Sequence, residues 1–183
     1  MEEYIDVLDE SGNYTGKSKE RNAVHKDGDW HKVIQLFIIN GNNILLQQRS
    51  LKKKSDPGKW CATASGHISA GESSYETVIK EFNEELGISI DNDKLNLIDT
   101  FKSPTTTYCK DMVIYNNHFV DLYISTQEIN IEDLILQEDE VEQVKFFSID
   151  EFKKMVERKD ESLTNTPILF EHVLMAINNE RNN

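Results

Sequence analysis

Cysteine is scarce: Cys61 and Cys109 are the only two in 183 residues, and neither lies in a Cys-x-x-Cys pair. No disulfide framework can be built from them, and a reducing, cytoplasmic location is expected. Long apolar runs are also missing. The longest, Val33 to Ile39, is interrupted by Gln35 and falls far short of the ~20 residues a membrane helix needs. The chain starts Met-Glu-Glu-Tyr, acidic where a secretory leader is basic, so no membrane partner is expected. Basic residues are outnumbered, 20 against 33 acidic, for a net charge of -13. That excludes the basic footprint with which proteins hold a nucleic-acid polymer. No repeat period and no low-complexity segment interrupts the chain.

The composition that remains, 38% apolar and 29% charged, is that of an ordinary globular protein. Its length predicts one domain over residues 1–183, with residues 1–30 as a hairpin-like extension and 165–183 as a closing helix. The negative charge does not exclude a small anionic ligand, because a divalent cation reverses the local field where acids collect. Nothing in the sequence fixes the oligomeric state; a homodimer is one option.

Ile5 to Lys17, with the turn Ser11-Gly12-Asn13, reads as a hairpin. Val33 to Ile39 and Ile44 to Gln48 read as strands joined at Asn40-Gly41. Arg49 to Lys59 is a basic, polar loop turning at Asp56-Pro57-Gly58, and Trp60 to Ser65 a short strand. Further strands are predicted at Leu95 to Lys102, Met112 to Ile124 and Val141 to Phe147, and helices at Ile149 to Arg158 and Pro167 to Asn179. Mixed α and β structure follows.

Ser73 to Leu86 carries the clearest helix signal. Ser73 and Glu76 form a capping-box pair, and Gly87 stands at the terminating position. Tyr75, Val78, Ile79, Phe82 and Leu86 share one face at helical spacing. Glu81, Glu84 and Glu85 fall together on the opposite, solvent side. Like charges three and four apart oppose one another by about 0.2–0.5 kcal/mol per pair, and the C-terminal half of a helix is the unfavourable end for acids. Two readings fit the cluster: a solvated acidic face, or a site for a hard cation that takes oxygen ligands.

The segment from Gly66 separates these readings. Gly66 is followed by five residues, Glu72, seven residues, and then Lys80-Glu81-Phe82-Asn83-Glu84-Glu85-Leu86-Gly87-Ile88. This resembles the Nudix box, with one departure: Lys80 stands where the family has arginine. The resemblance covers residues from about 30 to 155. It implies an α/β/α sandwich with a mixed sheet and the Nudix loop-helix, and an enzyme that hydrolyses a diphosphate linkage in a small molecule with Mg²⁺ or Mn²⁺. By the same resemblance, Glu81, Glu84 and Glu85 hold the metal, the carbonyl of Ser65 adds a ligand, Gly66 opens the loop, and Glu72 pairs with Lys80. Lysine supplies that charge without arginine's bidentate fork.

The base is expected to be a box glutamate, Glu84 first, or an acid of the later run Glu138, Asp139, Glu140 and Glu142; that run reads equally as a solvated loop. Arg49 follows a strand leading to the site and, with Lys52 to Lys54, could meet phosphate; the lysines read also as a solubilising loop. Specificity is expected from Arg49 to Lys59, Phe101 to Asp111 and Ile124 to Asp139. Trp30, Trp60, Phe101 and Tyr108 are available either to stack on a base or to pack.

One branch of the superfamily, the isopentenyl-diphosphate isomerases, has a similar approach to the box. Trp60-Cys61-Ala62-Thr63-Ala64-Ser65-Gly66-His67 resembles it, but the isomerase's catalytic cysteine falls on Ser65, and Cys61 comes four residues too early. A serine hydroxyl exchanges protons poorly at neutral pH, so isomerase activity is disfavoured. The resemblance extends to His25, His31 and His67, placed like the isomerase's metal-holding histidines. They are a possible second metal site, or, alternatively, a packed His67 and two surface residues. Val24 to His31 also looks like an isomerase-like bacterial subgroup of Nudix hydrolases, thought to act on nucleoside di- and triphosphates or related diphosphates. A Nudix-like binding module without catalysis is the third reading.

Overall fold

Alternation along one strand sets the architecture. β3 (His31–Asn40) places Val33, Phe37 and Ile39 on one face and Ile34, Leu36 and Ile38 on the other, and all six are buried. A strand apolar on both faces needs cover on both sides. In the computed structural model, which describes residues 2–109 and 112–181, helices supply it.

The chain runs β1 (Tyr4–Leu8), β2 (Tyr14–Glu20), α1 (Arg21–Asp27), β3, β4 (Asn43–Arg49), β5 (Trp60–Cys61), β6 (Ala64–His67), α2 (Ser74–Leu86), β7 (Leu95–Cys109), β8 (Met112–Ser125), β9 (Val141–Ser148), α3 (Ile149–Glu157) and α4 (Pro167–Arg181). The main sheet has the order β5-β4-β3-β8-β7, with β6 paired to β3 and β9 to β4. β3 and β8 are parallel and the other pairs antiparallel, so the sheet is mixed. On one face Val78, Phe82 and Leu86 of α2 pack on Ile34, Leu36, Ile38 and Leu45. On the other, Phe152 of α3 and Leu169, Phe170 and Val173 of α4 pack on Phe37, Ile44, Leu122 and Ile124. The result is the expected α/β/α sandwich.

β3 and β4 are paired only near their turn, at Ile38–Leu45, Ile39–Ile44 and Asn40–Asn43. Beyond it they part. β6 pairs along Val33 to Leu36 and β5 along Gln47 and Gln48. This opening delivers the loop that follows Gly66 to the mouth of the sheet.

Several elements differ from the sequence reading. Trp60 to Ser65 is two short strands, because successive pieces pair with different partners. β7 continues to Cys109 where a loop from Phe101 was expected. Thr105, Thr106 and Thr107 suit a strand, and Pro104 is tolerated because β7 is the sheet edge. Lys110 and Asp111 of that expected loop lie outside the described residues. Tyr75, assigned to the apolar face of α2, is exposed, and Thr77 is buried instead. α1 was not anticipated. Glu20 caps it by accepting from the Ala23 N–H, and Gly28 closes it at φ 73°. Among the described residues no helix is long and apolar enough to cross a membrane.

Candidate active site

The box helix is built as its caps dictate. Ser73 accepts from the Glu76 N–H while Glu76 accepts from the Ser73 N–H, and Gly87 closes the helix in the left-handed conformation, donating to the Asn83 carbonyl. The loop between Gly66 and this helix is pinned at three points. Lys80 meets Glu72 at 3.3 Å. The Ala70 N–H donates to the Tyr4 carbonyl at 2.8 Å, and the Gly71 N–H donates to Asp6 at 3.1 Å. The hairpin β1–β2 thus holds the box loop from outside.

The three box carboxylates do not share one environment. Glu84 is exposed and has no hydrogen-bond or ion-pair partner among the described residues. Glu81 is half-buried, and its side chain fills the space over Gly66: a Cβ there would come within 2.6 Å of Glu81 Cγ. Burial pushes Glu81 up to about 7; Lys80 opposes the shift, while Glu84, Glu3 and Glu140 add to it. Glu85 was expected on the solvent side and is instead only 4% exposed. It turns under the helix into the opening between β3 and β4, where the amide of Gln47 and the Ser65 N–H each donate to it at 3.3 Å. Burial, reinforced by Glu81, holds its carboxyl well above the ordinary range. Beside it, the Gln47 Oε1 is buried without a partner. One acid wholly, a second in part, and an amide oxygen are thus withdrawn from water with no adequate cation opposite them. Their donor chemistry, all oxygen, fits Mg²⁺ or Mn²⁺.

The later acidic run faces the basic loop. Lys52 meets Asp139 at 2.6 Å, and Lys53 pairs with Glu140. The Ser50 N–H donates to the Glu140 carbonyl at 2.9 Å. Glu140 is close enough to raise both Glu81 and Glu85, so it borders the carboxylate site. The Arg49 guanidinium is turned back on its own loop, donating to the Ser55 carbonyl and hydroxyl at 3.1 and 3.2 Å. Trp60 packs on Phe147, Trp30 on Phe119, and Phe101 stacks on His172 at 3.6 Å. Tyr108, far out on the β7–β8 hairpin, is 82% exposed.

The histidines converge. His25 and His31 are buried, not surface residues. With His67 they form a group that His118 of β8 completes, and one ring nitrogen from each lies within 4.8 Å of the others. His118 carries no local signal; only its register opposite His31 on the parallel strand brings it in. Among the described residues this is the group of His, Cys, Asp or Glu side chains drawn that close. The box glutamates are spread wider. Both sets hang on β6: the Ser65 N–H meets Glu85, Gly66 admits Glu81, and His67 joins the imidazoles on the other face of the sheet.

Residues 29–166 match the NUDIX domain family. The chain is 38% identical over 163 residues to a protein named Nudix hydrolase 3 of Arabidopsis thaliana, covering 87% of this chain and 21% of that protein. It thus spans about a fifth of that relative's length. It is 28% identical over 142 residues to an isopentenyl-diphosphate Delta-isomerase of Dinoroseobacter shibae, covering 76% of each chain. Its fold matches a crystal structure from Deinococcus radiodurans with a TM-score of 0.67 at 16% identity, covering 95% of this chain and 99% of that one. The box, the splayed strands that present it and the match over residues 29–166 agree, and the chain belongs to the Nudix hydrolase superfamily.

Proposed function

We propose that this chain hydrolyses a diphosphate linkage in a small molecule, a nucleoside diphosphate derivative or a related compound, with Mg²⁺ or Mn²⁺. The observation that carries the reading is the pair Glu81 and Glu85. Two carboxyl groups, Glu85 buried and Glu81 half-buried, lie four residues apart on one helix without a cationic partner able to compensate them. An isolated buried charge is costly, and a hard divalent cation would offset it.

The residues that would hold the metal are Glu81, Glu84 and Glu85, with the carbonyl of Ser65. When bound, it would neutralise diphosphate oxygens and polarise the attacking water. The chain's own groups do the rest. Glu84, exposed and without a protein partner among the described residues, would take the proton from water. Lys80 and Glu72 keep the loop against the helix, and Gly66 leaves room for the Glu81 carboxylate. Glu140, near both box acids, and the loop of Arg49 would meet the substrate. Arg49 would have to leave Ser55 to reach a phosphate.

Isomerisation is disfavoured on two grounds. Ser65 stands where the isomerase's cysteine would be. Cys61, the neighbouring thiol, is buried in β5, and its burial pushes it up to about 12. It can neither give nor take a proton near neutral pH. A net charge of -13 speaks against a nucleic-acid polymer as substrate.

The test is a phosphate-release screen over nucleotides, nucleotide sugars, dinucleoside polyphosphates and prenyl diphosphates with Mg²⁺ and Mn²⁺. Cleavage of at least one class, abolished by a chelator and nearly abolished in Glu84→Gln, is expected. Failure to cleave any of them, or full turnover in Glu84→Gln, removes the hydrolase reading or the role of Glu84 respectively.

A further inference from the structure

Two of the three buried side-chain polar atoms left without a partner among the described residues are the Nε2 atoms of His31 and His118. They point into the histidine group. The His25 Nε2 lies 3.0 Å from the His67 Nε2, a spacing at which one nitrogen must carry a proton or both must share an ion. The outer nitrogens are already assigned. His25 Nδ1 lies 3.2 Å from the Tyr115 carbonyl and His31 Nδ1 2.9 Å from the Asp29 carbonyl. A carbonyl only accepts, so each Nδ1 carries the proton and each Nε2 keeps its lone pair inward. Outer carbonyl partners of this kind accompany metal-bound imidazoles.

We infer that His25, His31, His67 and His118 form a closed four-imidazole site for one d-block divalent cation such as Zn²⁺, separate from the carboxylate site. Four nitrogens at the ~2.0–2.1 Å of a tetrahedral zinc ion lie about 3.3 Å apart, so the observed separations, all within 4.8 Å, close by small side-chain rotations. Imidazole nitrogen suits zinc and its neighbours, whereas Mg²⁺ takes oxygen. Burial lowers all four imidazoles, His31 to about 4, and so keeps them neutral and ready to ligate. The one strong positive charge felt by all four, Arg21, is tied to Glu3 at 2.9 Å.

Four protein ligands leave no open position, which marks a structural rather than a catalytic centre. The ligands come from four elements, the neighbouring α1 and β3 and the distant β6 and β8. The ion would therefore fasten the segment up to Asp27 onto the sheet and fix β6, the strand that sets Ser65 and Gly66 against the box acids.

The full chain should be stripped with a chelator, dialysed, and titrated with zinc sulfate or cobalt chloride in the presence of excess Mg²⁺. Retention of one zinc per chain by elemental analysis is expected. Co²⁺ should give the intense visible bands of four-coordinate nitrogen ligation, and the thermal midpoint should rise on adding zinc. His118→Ala and His31→Ala should lose the equivalent and the rise, while Glu84→Gln keeps both. The inference is overturned if wild type retains no zinc or cobalt, if its cobalt spectrum is weak and octahedral, or if folded His118→Ala binds zinc as wild type does. The wild-type spectrum decides even if neither histidine variant folds. None of these readouts depends on hydrolysis.

Discussion

Gly66 and Glu81 occupy one space: the carboxylate side chain lies where any larger residue at position 66 would place its Cβ. The glycine of the box is thus needed for close approach and not for an unusual backbone angle. Gly66→Ala is expected to push Glu81 aside, with an overpacking penalty of about 1–3 kcal/mol and a loss of turnover larger than the loss of stability explains. Steady-state kinetics beside thermal unfolding checks this. A variant with wild-type kcat/KM would show that Glu81 can relocate freely.

Glu81 also predicts a pH dependence. Its folded pKa is raised from 4.5 to about 7, so the folded state binds the extra proton. Its contribution is fully present below pH 4.5 and lost as pH rises through 7. In metal-free protein, Glu81→Gln should therefore become progressively more stable relative to wild type between pH 5 and pH 8. After discounting for the partial exposure of Glu81, the gain is about 1–2 kcal/mol. Paired unfolding curves in a chelator at several pH values measure it. A difference that stays flat with pH would mean that Glu81 is already ionised in the fold.

The pairing of Lys80 with Glu72, at 3.3 Å and partly exposed, is worth little to global stability. A double-mutant cycle with Glu72→Gln and Lys80→Met should return a coupling of roughly 0.2–1 kcal/mol. Lys80→Arg should increase that coupling by adding a second parallel hydrogen bond. A coupling of zero for both cations would assign the loop's position to its contacts with Tyr4 and Asp6 alone.

Cys61 should be inert. Its thiol is buried and pushed up to about 12, so in the native protein at pH 8 it should resist iodoacetamide and react only in denaturant. Peptide mapping by mass spectrometry reads the position directly. Rapid native labelling of Cys61 would reopen thiol chemistry near the box.

The local features of the box were legible in the sequence because they are local. The Ser73–Glu76 capping box and the stop at Gly87 each depend on residues within a turn of one another, and the Glu72–Lys80 pair, which the resemblance implied, spans only a short loop. The helix wheel succeeded for Phe82 and Leu86 for the same reason and misjudged Glu85. A wheel shows which residues share a side, but not that an opening between β3 and β4 would offer Gln47 and the Ser65 N–H to an acid at the edge of that side. Likewise, Phe101 to Asp111 reads as a loop in the sequence, whereas pairing with β8 makes Phe101 to Cys109 part of the sheet's edge strand.

The sequence by itself determined the family, the register of the three box glutamates and the mixed α/β class, since spacing and periodicity are properties of the chain. Tertiary structure decided which of those glutamates lose their water, and that His118 joins His25, His31 and His67. Both follow from strand registers, His31 opposite His118 and Val33 opposite His67, that link residues far apart in the chain. Desolvation and convergence arise only once such distant strands are paired and covered.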